Sequence, residues 1–193
     1  MGPMAEAGPS ASRCTAEEYF RLVEVGVLRP DDRVELLEGV IVAVSPQNPR
    51  HASAVRRALR LLEVAVAGRA VLSVQLPLVT GGHSVPEPDV AVLPGREPDY
   101  DRAHPTTALL VVEVADGSLI QDRLTKAEIY AAAGIPEFWI VNLRDDCVEV
   151  LRDPDRQARR YRHRRLAGRG ETIELLAFAD ASVSVSDLLP ARE

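Results

Sequence analysis

Lysine is nearly missing from this chain: Lys126 stands alone beside 22 arginines in 193 residues. Arginine therefore supplies the generic positive charge, and a single lysine points to a position that needs an ammonium. An ammonium is a compact point charge whose pKa responds to its surroundings, whereas a guanidinium is a planar fork that stays charged. Aromatic residues are scarce at 4%, which leaves Val, Leu and Ala to build the core. Cysteine is limited to Cys14 and Cys147, without a CxxC pair or a histidine at ligand spacing. That speaks against a zinc site and for a reducing compartment. His83, His104 and His163 show no His-x-x-x-His spacing, so no transition-metal cage is expected. No apolar run approaches the ~18 residues of a membrane helix, and the first residues lack the apolar stretch of a signal peptide. The expected location is the cytoplasm, with no membrane partner. A GxxxxGK[ST] loop and a Gly-x-Ser-x-Gly elbow are also missing, which leaves a nucleotide cofactor and serine-esterase chemistry unsupported.

The formal net charge of −6 gives no global attraction to phosphate, so the distribution of charge matters more than its sum. The stretch from Arg156 to Arg169 carries Arg159, Arg160, Arg162, His163, Arg164 and Arg165 with no acid inside it. Tyr161 is its one aromatic, too few for a surface that stacks on bases. The expectation is a solvated strand or hairpin face.

The length suits one domain with a single large core. Residues 1–14 are rich in Gly, Pro, Ala and Ser and are expected to be a disordered tail, leaving 15–193 as one domain. Thr15 with Glu18 forms a capping box for a helix to about Val27, with Tyr19, Leu22 and Val23 on its buried side. Two β-rich runs around Glu38-Gly39 predict a hairpin, Val34–Leu37 with Val40–Val44. From His51 to Ala67, Val55, Leu59, Leu62 and Val66 recur at helical spacing, and Gly68 ends the helix. Strands are predicted at 70–79, 89–93 and 109–115, the last apolar throughout and so central. A second helix spans about Leu119 to Ala133, before Gly134 and the apolar run Phe138 to Val141. More strands follow Cys147. The order predicts an α/β (α+β) domain with a mixed sheet flanked by helices.

Asp89 begins one strand and Glu113 lies within the next, each in apolar sequence. An unpaired buried carboxylate costs several kcal/mol unless it is protonated, paired or bound to a metal. Two acids on adjacent strands supply oxygen ligands for Mg²⁺ or Mn²⁺, with the backbone carbonyl of Val114 as a further donor. Asp122 and Lys126, at i and i+4, share a helix face. That helix follows the Glu113 strand through a short loop and brings Lys126 toward the carboxylates, where it can orient or deprotonate an attacking water. Tyr130 and Trp139 are read as core.

The ordered set Arg33-x-Glu35-Leu36-Leu37-Glu38-Gly39, His51 on a helix, Pro88-Asp89-Val90, Val112-Glu113-Val114, Asp122-x-x-x-Lys126-x-x-x-Tyr130 and Gly134-Ile135-Pro136-Glu137-Phe138-Trp139 resembles the Uma-two family. This is a bacterial group of restriction-endonuclease-like proteins with the PD-(D/E)xK nuclease fold, and the likeness runs from about residue 15 to the C-terminus. The resemblance implies a metal-dependent phosphodiesterase core acting on DNA. Asp89 and Glu113 match its metal-binding acids, Lys126 the lysine moved to the following helix, and Glu35 an N-terminal acid near the site. His51 is a further site candidate. Two departures stand out. Ala115 occupies the place of the superfamily's usual lysine, two residues after the second acid, and the loop continues Asp116-Gly117-Ser118 where family members commonly read Leu-Ser-Pro after Glu-Val. The expected function is a Mg²⁺- or Mn²⁺-dependent DNA endonuclease; the alternative is a nuclease-fold protein without turnover that binds DNA or assembles with proteins. A homodimer is expected for either.

Overall fold

The computed structural model describes residues 13–29, 31–44, 46–116 and 119–191, apart from the side chains of Leu119 and Asp122. The predicted capping box starts α1 (Ala16–Glu24): the Glu18 N–H donates to Thr15 Oγ1 at 3.1 Å, and the Thr15 N–H donates to Glu18 Oε2 at 2.8 Å. Tyr19 anchors this helix in the interior, but Val23, expected beside it, is exposed. The helix also stops short of Val27. Strands β1 (Val34–Leu37) and β2 (Val40–Ala43) form the predicted hairpin. Its two turn residues, Glu38 and Gly39, have φ of 52° and 80°, the left-handed pair that a tight turn between twisted strands requires. A side chain at position 39 would also collide with Arg13.

Helix α2 (Pro49–Val66) begins where the Asn48 side chain accepts the His51 N–H at 2.9 Å, with Pro49 in its first turn. A cap and an N-terminal proline satisfy or remove backbone donors that the first turn cannot pair internally. Ala54, Val55, Ala58, Leu62 and Val66 form its buried stripe.

The central sheet has six strands in the order β3 (Val71–Ser73), β4 (Val90–Leu93), β5 (Leu110–Ala115), β6 (Glu137–Asn142), β7 (Cys147–Asp155) and β8 (Arg160–Gly168). Only β5 and β6 run parallel. A parallel pair needs a crossover, and the predicted second helix supplies it in three pieces: α3 (Leu119–Gln121), a π turn (Asp122–Lys126) and α4 (Ala127–Ala133). Strand β3 covers much less than the predicted 70–79, because the backbone turns at Gln75, where φ is 52°. Strands β9 (Thr172–Leu175) and β10 (Phe178–Ser184) pair with each other, and α5 (Val185–Leu188) follows.

Each face of the sheet is covered. Val90, Val112, Val114, Trp139, Val141 and Val148 pack with α2 and the C-terminal elements. Ala91, Leu93, Val111, Phe138, Ile140 and Leu151 pack with Tyr130 and its neighbours on α4. Each of the larger apolar side chains so buried contributes roughly 1.5–3 kcal/mol. The arginine-rich stretch forms the turn after β7, strand β8 and the residue beyond it, and several of its cations are matched by acids: Arg162 with Asp153 and Asp155, Arg164 with Glu149, Arg165 with Glu171 and Arg169 with Asp146. Among the described residues, no helix is long and apolar enough to cross a membrane.

Candidate active site

Strand register places the two acids. Val90 pairs with Val112 in the antiparallel β4–β5 ladder, so one further step sets Asp89 opposite Glu113 on the face covered by α4. Directly opposed residues have Cβ atoms about 5 Å apart. The ladder gives way to side-chain bonding here. The Val114 N–H donates to Asp89 Oδ2 at 2.8 Å, and Gln75 Nε2 donates to Asp89 Oδ1 at 3.0 Å. The Val114 carbonyl lies on the same edge of β5 as its N–H, as strand geometry requires.

His51, in the first turn of α2, brings Nε2 to 3.2 Å from Asp89 Oδ2. Burial pushes the Asp89 carboxyl upward, but the hydrogen bond and charge of His51, the Val114 N–H and the Gln75 amide outweigh it and hold the group below the ordinary carboxylate range. Bonds made to the charged form favour that form.

Lys126 joins the sheet to the N-terminal hairpin. Its Nζ donates to Glu113 Oε1 at 2.9 Å and to Glu35 Oε1 at 3.1 Å, and all three residues are buried. An ammonium has three donors, which suits contact with two acids arriving from different elements. Tyr130, one helical turn beyond Lys126, donates its hydroxyl to Glu113 Oε1 at 2.7 Å. Glu35 Oε1 also accepts the Glu87 N–H at 2.9 Å. The Glu87 carboxyl is pushed up by burial and then by the Glu35 charge, against the opposing pull of Arg33 and Lys126.

These groups border a cavity of about 650 Å³ whose lining includes Glu35, His51, Asp89, Glu113, Ile120 and Lys126. The N-terminus of α2, the positive end of its dipole, contributes Asn48 and His51 to the wall. Asn48 also donates through Nδ2 to Asp116, which accounts for the acid in the divergent loop after Glu113. The predicted residues Asp89, Glu113, Val114, Lys126, Glu35 and His51 thus all reach one cleft, while the Asp122 side chain lies outside the described residues.

Three polar participants were not foreseen. Tyr130, a core residue by its pattern, is fully buried while its hydroxyl reaches Glu113; its spacing four residues after Lys126 is the available signal. Gln75 sits in a segment expected to be strand, and Glu87 had no distinguishing local pattern.

Among the described residues, no three His, Cys, Asp or Glu side chains converge as a metal cage. A hard divalent cation asks for less: one or two carboxylates, with waters completing the shell. Asp89 and Glu113, with the Val114 carbonyl at the same sheet end, form a donor set of that chemistry.

The Uma2 family model, described as "Putative restriction endonuclease", matches residues 16–186. The chain belongs to the Uma2 family. Membership places it in the PD-(D/E)xK-like superfamily, and the mixed sheet with its N-terminal helix and hairpin is consistent with a restriction-endonuclease-like fold. A crystal structure from Anabaena variabilis, described as "a putative nuclease belonging to DUF820", is similar with a TM-score of 0.71 and 18% identity, covering 90% of this chain and 96% of that one. At that identity the likeness establishes the fold. No curated protein matches the sequence. In this Uma2 chain, Ala115 at the usual lysine position is fully buried, and an ammonium reaches Glu113 from the following helix.

Proposed function

We propose that this Uma2 protein is a Mg²⁺- or Mn²⁺-dependent endonuclease that hydrolyses DNA phosphodiesters without a covalent enzyme intermediate. The observation supporting this reading most strongly is Lys126 Nζ, 2.9 Å from Glu113 Oε1 in a cleft that Asp89 also borders. Asp89, Glu113 and the Val114 carbonyl would hold the cation. When bound, such a cation neutralises charge on a phosphate and lowers the pKa of water. Lys126 would orient the attacking water and stabilise negative charge developing on the phosphate, with Glu35 and Tyr130 fixing the ammonium and carboxylate in register. His51 would hold Asp89 in its charged form. Asp122 is a further candidate on the same helical segment. A homodimer belongs to the same reading, since β8 ends the sheet and an edge strand offers pairing groups to a second chain.

A second reading, a nuclease-fold protein retained for DNA binding or assembly without turnover, is favoured by one feature: both Asp89 and Glu113 already accept hydrogen bonds from protein donors. Cleavage of supercoiled, linear, branched and single-stranded DNA with Mg²⁺ or Mn²⁺ separates the two. The endonuclease reading expects cleavage by the wild type that stops with a chelator and is abolished in folded Asp89→Asn and Glu113→Gln proteins. Unchanged cleavage in both variants would sink the assignment of the site. Measured cation binding without cleavage of any substrate would favour the second reading.

A further inference from the structure

Glu113 has a counterpart two strands away. On the sheet, Glu113 pairs in register with Ile140, and Ile140 pairs with Glu149. The three residues therefore form one row across β5, β6 and β7 on the face covered by the crossover. With strands about 4.8 Å apart, the two acids stand roughly 10 Å from each other, separated by Ile140.

The π turn lies over this row and places a cation on each acid. Arg123 donates through Nε to Glu149 Oε1 at 2.9 Å and to Oε2 at 3.1 Å, and through Nη2 to Oε1. Three residues later, Lys126 donates to Glu113. An α-helix advances about 100° per residue, which would leave these two side chains only about 60° apart. The wider π winding turns less per residue and splays them further, as two separated targets require.

Glu149 is itself rigidly held. It is completely buried, and it also accepts from Asn142 Nδ2 at 3.0 Å and Arg164 Nη2 at 2.7 Å. Asn142 in turn accepts the N–H groups of Arg144 and Asp145, fixing the turn between β6 and β7. Two neighbouring strands, β6 through Asn142 and β8 through Arg164, thus grip this carboxylate, which in turn grips the π turn carrying Lys126.

We infer that Glu149 and Arg123 are positioning residues, which clamp the π turn and thereby set where the Lys126 ammonium stands against Glu113. The clamp stands on geometry alone; only its consequence for cleavage rests on the endonuclease reading.

The single lysine makes the test direct. Full-length protein labelled with ¹⁵N,¹³C-lysine gives one lysine side-chain signal, that of Lys126. In Glu149→Gln and in Arg123→Gln, which leaves Glu149 with Arg164 and Asn142, this signal should move by more than its linewidth, and cleavage should fall by about 100-fold in kcat with KM little changed, the order expected for a misplaced catalytic group. Glu137→Gln is the control. Glu137 is equally buried and bonded to Arg152 and Trp139 but does not touch the π turn, so its loss should lower stability and leave the Lys126 signal in place. A wild-type Lys126 signal in folded Arg123→Gln, or a displaced signal in folded Glu137→Gln, would overturn the clamp. A displaced signal in the clamp variants of a protein that cuts no DNA would uphold the clamp and remove the endonuclease reading.

Discussion

The two faces of the central sheet are built differently from the same alternating strands. Toward α2, β4, β5 and β6 present Val90, Val92, Val112, Val114, Trp139 and Val141, an apolar layer. Toward the crossover, the same sheet carries Glu113 and Glu149, both buried, among Val111, Phe138 and Ile140, whereas Glu137 lies on the other face beside Trp139, held by Arg152 at the start of β6. Burying an uncompensated carboxylate is unfavourable by several kcal/mol, so each of the two on the crossover face requires a dedicated partner, and each has one: Lys126 for Glu113 and Arg123 for Glu149. One face stores stability mainly in packing, and the other holds the charges that surround Lys126 in defined places. The candidate chemistry occupies the second.

Removing a cation from the charged face should have the largest effect. Lys126→Ala leaves Glu35 and Glu113 without their shared ammonium and is expected to cost about 3–5 kcal/mol, read as a lower urea midpoint at pH 7, together with loss of any cleavage. On the apolar face, Leu62→Ala should cost about 3 kcal/mol through the cavity it opens, yet leave cleavage per folded molecule at the wild-type value. A lost site in folded Leu62→Ala would show that the two faces are not separable.

The smallest effect concerns pH. Burial raises the Glu149 carboxyl, but Arg123, Asn142 and Arg164 outweigh it and depress it below its ordinary value. A depressed carboxyl contributes stability that is fully present above its unfolded pKa of about 4.3 and is lost as pH falls through the folded value. Urea unfolding between pH 7 and pH 3 should therefore show a shallower acid decline in Glu149→Gln than in the wild type, whereas Leu62→Ala should lower stability by a similar amount throughout. Parallel acid declines in Glu149→Gln and wild type would remove Glu149 from the acid-labile groups.

Local signals were legible wherever one short segment contained them. Thr15 with Glu18 announced α1, Glu38-Gly39 announced the hairpin, and the stripe from Val55 to Val66 announced α2. Asp89, Glu113, Lys126, Glu35 and His51 were singled out as acids in apolar runs, as the lone lysine, or by family resemblance, and they border one cleft. The same logic missed Tyr130, because a tyrosine on a buried helix face looks identical whether or not its hydroxyl meets a carboxylate. It missed the π turn because apolar spacing cannot distinguish one widened turn from the helix around it. The end of β3 was misjudged because the left-handed backbone at Gln75 has no residue signature there.

By itself the sequence determined the alternation of apolar and polar residues, the caps and the turn residues, since these act between neighbours a few positions apart. It also determined that the chain has a single lysine ammonium to place. Only the tertiary structure decided which acids that ammonium joins. Glu35 and Lys126 are 91 positions apart, and Arg123 and Glu149 are 26 apart. Such pairings follow from strand register and from how the crossover packs across the sheet, which set distances between charges that no local pattern encodes.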